Sequence, residues 1–233
     1  MPWFVAIPLG LAPGALWLWF LWTKDDHEPE PPLAVLGVFA LGCASAFATL
    51  SLRPWLEPLI PWEPEWWMHA FDAFVVTAGV EEFLKISACA VFLTWHREVD
   101  EPLDGLLYGA AAGLGFASFE NALYVLRTSE ASLALMRGFT ATLVHATCTG
   151  LIGLALVSAR LCGKHTLRWV LGALGLAIAL HGTYDYFLIR DDGRAWVSLL
   201  AALPLMTVML SVKTRWARAK SAAFHPRPPT TAS

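Results

Sequence analysis

The run HAFDAFVVTAGVEEFLKISACAVFLTW, residues 69–95, decides the fold. As an α-helix it reaches roughly 40 Å, enough to cross a hydrocarbon core of about 30 Å. An isolated strand cannot satisfy its backbone in lipid, so helix is the only stable reading. Comparable apolar runs lie at 3–22, 33–52, 104–126, 133–159, 167–189 and 195–213, which makes seven expected spans. The composition agrees: of 233 residues, 57% are hydrophobic and 15% charged, and the mean hydropathy is +0.54. A soluble domain carries about 25% charged residues. The charges cluster in connections such as 24–30 and 96–104. A secreted disulfide scaffold, a nucleic-acid-binding module and an ordinary cytosolic enzyme are excluded. The sequence predicts an all-α, polytopic bundle of about seven transmembrane helices in a lipid bilayer.

The spans leave only connections and a tail. With the N-terminus outside, the inner segments hold ten lysines and arginines, five of them in the basic tail after residue 212, and the outer segments five. That bias predicts N-terminus out and C-terminus in. Cys43, Cys89, Cys148 and Cys162 have no C-x-x-C spacing and read as packing residues. The first span lacks a basic leader and a small-residue cleavage site, so it reads as a retained helix. Residues 1–68 read as two peripheral helices and an interfacial loop, in which Pro54, Pro58, Pro61 and Pro64 oppose regular helix and four Trp residues suit the membrane interface. Residues 69–190 form the expected four-helix core, 191–215 the last transmembrane helix and 216–233 a disordered basic cytoplasmic tail.

The informative residues are those that do not belong in lipid. Glu81, Glu82 and Lys85 lie in the third span, Glu120 and Asn121 in the fourth, His145 in the fifth, and His181 and Asp185 in the sixth. Each charge in a span costs about 2.5–3.5 kcal/mol on insertion scales and normally faces a bundle interior or water. His181 and Asp185, like Glu81 and Lys85, are four residues apart and share a helix face. Counted from the outer ends, Glu82 and His145 lie at depths of about 20 and 18 Å. Glu120 and His181 lie about 24 and 21 Å from the inner ends, so all four reach the middle or outer half of the membrane. Gly105, Gly109 and Gly113 let a neighbouring backbone approach, with Gly150, Gly153, Gly172 and Gly175 expected to do likewise.

Carboxylates with two imidazoles suit peptide-bond hydrolysis, a glutamate taking a proton from water and passing it to the leaving amine. Histidines and carboxylates serve equally to hold Zn²⁺ with an open position or, without metal, to stabilise an oxyanion. There is no H-E-x-x-H motif and no G-x-S-x-G elbow. Thr142, Thr147 and Thr149 read as packing or backbone-bonding groups. VEEFLK at 80–85, DGLLYGAAAGLGFASFEN at 104–121, His145 with Thr149 and Gly150, and HGTYDYFL at 181–188 together resemble the PrsW family of bacterial intramembrane proteases. The resemblance covers roughly 70–190 and extends to the CAAX prenyl endopeptidase and bacteriocin-immunity membrane proteins related to that family.

The resemblance implies a multi-pass protein of the bacterial cytoplasmic membrane that cleaves a membrane-anchored substrate, of anti-sigma-factor type, on its extracytoplasmic side. Glu81 and Glu82 become the paired acids, with Glu82 the expected base. His145 and His181 activate water, bind metal or stabilise the oxyanion, and Asp185 orients a histidine or joins them as a Zn²⁺ ligand. Glu120 is a further site residue, Asn121 lies beside it, and Lys85 neutralises the acidic pair. Two other classes stay open on the residues alone: a proton- or ion-coupled transporter using the same groups as a relay, and a non-catalytic binding or immunity protein.

Overall fold

A computed structural model of the chain describes residues 1–23, 30–97, 99–162 and 166–189, together with Ser211, Arg215 and Ala219. The expected span at 195–213 and the basic tail lie almost wholly outside the described residues. Among the described residues the chain is helical and has no strand. The helices are α1 (Trp3–Trp22), α2 (Pro32–Leu56), α3 (Glu65–Phe71), α4 (Val80–Trp95), α5 (Pro102–Thr128), α6 (Ala131–Phe139), α7 (Ala141–Cys162) and α8 (Thr166–Ile189). A π-helical segment, Asp72–Gly79, joins α3 to α4 in one uninterrupted run. Each of the first six expected spans has a helical counterpart. Among the described residues three stretches are long and apolar enough to cross a membrane by length and composition: Trp3–Trp22, Pro32–Leu59 and Leu135–Leu161.

Two boundaries differ from expectation. The Pro/Trp segment is less irregular than its prolines suggest: α2 continues through Pro54, a short 3₁₀ turn covers Glu57–Leu59, and Pro64 stands at the N-cap of α3. Proline is tolerated at a helix start, where its missing N–H has no intrahelical partner, whereas Pro54 gives up one helical bond within the last turn of α2. Trp55 and Trp62 of this segment are largely exposed, as interfacial anchors are. The fifth expected span is broken at Thr140, so that α6 leads into α7 at a bend.

Helix α5 is the hub. It begins with Pro102 at its first turn and a reciprocal capping box between Glu101 and Asp104, and it ends at Ser129 with φ 60°. It is buried from Pro102 through Ser118. The glycine ladder explains how: a Cβ at Gly105, Gly109 or Gly113 would stand 2.5, 2.6 or 2.3 Å from the carbonyl oxygens of Gly153, Thr149 and His145 on α7. The two antiparallel backbones touch, with Gly153 completing the contact from α7, and no larger residue fits at these four positions; Gly150 is looser, where a Cβ would stand 3.3 Å from Leu106. This register puts His145 level with Gly113. Among the described residues nothing lies within 4 Å of a Cβ at Gly172 or Gly175, so no described helix uses these two glycines for a close approach. On other faces of α5, Gly10 and Gly14 of α1 meet Ala122 and Ser118, while Gly42 of α2 meets Ala112. Helix α8 packs on α7 and on the π-helical segment, with Gly182 against the Phe74 ring.

Candidate active site

Helix α4 turns a broad arc inward. Glu81, Glu82 and Lys85 are all buried on it, while Phe83 faces out. A π-helical segment adds one residue to the preceding turns, and such segments recur beside functional sites. Lys85 is fully buried, and a buried ammonium is tolerated only when paired. Its Nζ lies 3.2 Å from Glu81 Oε2, 2.8 Å from Glu82 Oε1 and 2.8 Å from His145 Nδ1. These partners use all three of its donors. The Phe116 ring of α5 closes the remaining side, with its centroid 3.9 Å from Nζ.

The network continues from both histidines. Lysine only donates, so His145 Nδ1 accepts and its Nε2–H is left to donate to Glu120 Oε2 at 3.1 Å. Arg137 of α6 fixes that carboxylate, donating to Glu120 Oε2 at 2.7 Å and to Asn121 Oδ1 at 2.8 Å. Asn121 in turn donates to Thr142 Oγ1 at 2.9 Å. On the other side, His181 Nδ1 lies 3.0 Å from Glu82 Oε1, and its Nε2 lies 3.1 Å from Asp185 Oδ2 and 3.7 Å from Glu81 Oε2. Thr149 donates to Glu82 Oε2 at 2.8 Å. The two imidazole rings meet edge to face with centroids 4.7 Å apart.

Glu81, Glu82, Lys85, Glu120, Asn121, His145, His181 and Asp185 therefore all fall in one connected cluster built from α4, α5, α7 and α8. Sequence reasoning missed three contributors. Arg137 counts there as a connection charge, yet it is buried and holds Glu120 and Asn121 together. Its position inside the apolar run at 133–159 is the signal that marks it. Thr142 and Thr149 bond to site side chains rather than merely packing, and Thr149 lies one helical turn after His145 on the same face. The Thr147 hydroxyl, by contrast, is buried and makes no hydrogen bond with any described residue.

The two paired acids differ sharply. Glu82 is wholly buried, and both its oxygens are occupied. Glu81 makes its described contacts through Oε2, and Oε1 accepts no hydrogen bond from any described residue. A cavity of about 140 Å³ between α2 and α5 reaches Glu81 and Glu120, walled by Leu50, Phe119 and Leu123, with Arg53 and Arg127 also lining it.

Donor atoms of Glu81, His145 and His181 lie within 4.8 Å of one another, a two-histidine, one-carboxylate set of the type that holds catalytic zinc. The surroundings suit ligands too: each imidazole has its other nitrogen on a carboxylate, Glu120 for His145 and Glu82 for His181. Asp185 is not in this trio and instead pairs with His181. Lys85 stands against two of the three donors, so its ammonium and a metal ion compete for one place.

A family model described as PrsW family intramembrane metalloprotease matches residues 30–211. The chain is 32% identical over 207 residues to Protease PrsW of Bacillus subtilis (strain 168), covering 88% of this chain and 91% of that protein. It is 31% identical over 191 residues to Protease PrsW of Geobacillus kaustophilus (strain HTA426), covering 81% and 82%. Against Protease PrsW of Shouchella clausii (strain KSM-K16) the identity is 28% over 215 residues, covering 92% and 95%. No solved structure matches the chain at a significant level.

Proposed function

The chain belongs to the PrsW family of intramembrane metalloproteases and is by that membership an intramembrane protease; from this premise we propose that Glu81 is the general base that hydrolyses a peptide bond of a membrane-anchored protein. The carrying observation is the unoccupied Oε1 of Glu81 beside the cavity, against the saturated carboxylate of Glu82. This moves the base from Glu82, the expectation from sequence, to its neighbour. Water in the cavity gives its proton to Oε1 as its oxygen attacks the scissile carbonyl carbon. The proton then passes to the leaving amine, so that one water yields a carboxylate and an amine. Lys85 and His181 hold Oε2 and keep Oε1 directed at the water.

Glu82 anchors the centre: it ties Lys85, His181 and Thr149 together from three helices. Glu120 and Arg137 fix the ring of His145. Glu81, His145 and His181 would be the residues to hold a divalent metal, which would supply Lewis-acid polarisation of the scissile carbonyl. The substrate class is a single-span protein of the anti-sigma-factor type, cleaved on the extracytoplasmic side, with the enzyme's N-terminus outside and its C-terminus in the cytoplasm.

The test is co-expression with a single-span reporter, with new termini mapped by mass spectrometry. Glu81→Gln lowers cleavage by about 10²–10⁴-fold, the range for loss of a general base, while membrane insertion and yield stay unchanged. Undiminished cleavage by Glu81→Gln would overturn the assignment.

A further inference from the structure

The cavity beside Glu81 has a shape and a charge pattern that say what enters it. Helices α2 and α5 touch backbone to backbone at one crossing: a Cβ at Gly42 would lie 2.0 Å from Ala112 O, and one at Gly115 would lie 1.9 Å from Phe39 O. Cys43 Sγ also donates to Gly115 O there. Beyond the crossing, toward both C-termini, the cavity opens between the helices, so this gap is a groove closed at one end. Its walls are apolar: Ala46, Leu50, Phe116, Phe119 and Leu123. Its floor is acidic, with Glu81 and Glu120. Its far end is basic.

The two arginines differ. Arg53 is engaged, donating to Thr77 and Asp72 and pairing with Glu57. Arg127 stands exposed on the last turn of α5 and makes no ion pair or side-chain hydrogen bond with any described residue. A guanidinium with no described partner at the end of a groove that runs down to a carboxylate cluster complements a carboxylate carried by whatever occupies the groove. At the floor the cations Lys85 and Arg137 are already paired with Glu81 and Glu120, so such a charge finds no partner near the reacting atoms and the two ends select for different features.

We infer that the α2–α5 groove binds an extended segment of the protein substrate, with uncharged residues over Glu81 and Glu120 and an acidic side chain paired with Arg127. Arg127 follows Glu120 by seven residues, about 10 Å along the helix. An extended peptide covers that in roughly three residues at about 3.3 Å each. The preferred acidic residue therefore sits about three positions from the scissile bond, on the side leading out of the membrane. The inference rests on the proteolytic reading of the site and adds the substrate's recognition element to it.

The probes are single-span reporters that differ only in carrying Asp, Ala or Lys at that position. They are co-expressed with Glu81→Gln protein bearing a photo-crosslinking residue at Leu123, in the groove wall, or at Leu171, an exposed position on α8 outside the groove. Crosslinking from position 123 favours the Asp reporter over the Lys reporter by about threefold to fivefold, the range of a partly exposed ion pair. The order reverses in Arg127→Glu, and position 171 shows no preference. Equal yields for all reporters, or an order that survives Arg127→Glu, would overturn the inference. Cleavage of the same reporters by the unsubstituted protein is read in parallel. Charge-dependent crosslinking without any cleavage defeats the proteolytic reading alone, and cleavage indifferent to charge defeats the groove assignment alone.

Discussion

Lys85 shows how far one buried charge can organise a site. Its three donors reach two acids on its own helix and a histidine on α7, so it joins groups sixty residues apart in sequence. The same position makes it the competitor of any metal bound by Glu81, His145 and His181. Lys85→Met keeps the length of the side chain and removes the ammonium. In a zinc titration of purified protein, this variant binds more tightly than the unsubstituted chain by at least tenfold, while His181→Ala binds more weakly. Unchanged zinc affinity in Lys85→Met would show that the ammonium and the ion do not share a place. Far-ultraviolet circular dichroism on each variant separates loss of fold from loss of ligand.

At the scale of the helix, the decisive feature is the contact between α5 and α7. The G-x-x-x-G-x-x-x-G spacing announces that some backbone comes close, and the structure identifies α7, antiparallel and in a register that sets His145 beside Gly113. Because a Cβ at Gly113 would meet the carbonyl of His145 itself, Gly113→Val separates the helices where the site is assembled. Overpacking of this kind costs about 1–3 kcal/mol. The expected result is a lowered unfolding temperature in detergent and loss of cleavage, whereas Gly172→Val leaves both unchanged, since no described residue lies within 4 Å of a Cβ at Gly172. Equal tolerance of the two substitutions would contradict the packing. The break at Thr140 is the converse case. A continuous apolar pattern hides it, and it is what lets the short α6 bring Arg137 back onto Glu120.

For the whole molecule, orientation governs which face the groove serves. The excess of lysine and arginine predicts that the α5–α6 connection lies outside and the α4–α5 connection inside. In whole cells, a membrane-impermeant thiol reagent therefore labels Ser129→Cys but labels Arg97→Cys only after permeabilisation, in a background where the native cysteines are replaced. The reverse pattern would turn the groove toward the cytoplasm. The bilayer, the helical class and eight residues of the buried cluster are readable from the chain alone, because a charge in an apolar run is too unfavourable to be accidental and its helix face follows from spacing. Which of the two adjacent glutamates meets the cavity is not readable in that way. Both lie on the inward arc of α4, and they differ in what α7 and α8 set against them: Thr149 and His181 saturate Glu82, while Glu81 lines the gap between α2 and α5 and keeps one oxygen without a described hydrogen bond. Arg137 and Arg127 divide likewise, one folded into the cluster and one beside the groove with no ion pair to any described residue. Spacing along a helix sets direction and depth, but a hydrogen-bond partner from another helix exists only once the bundle has packed.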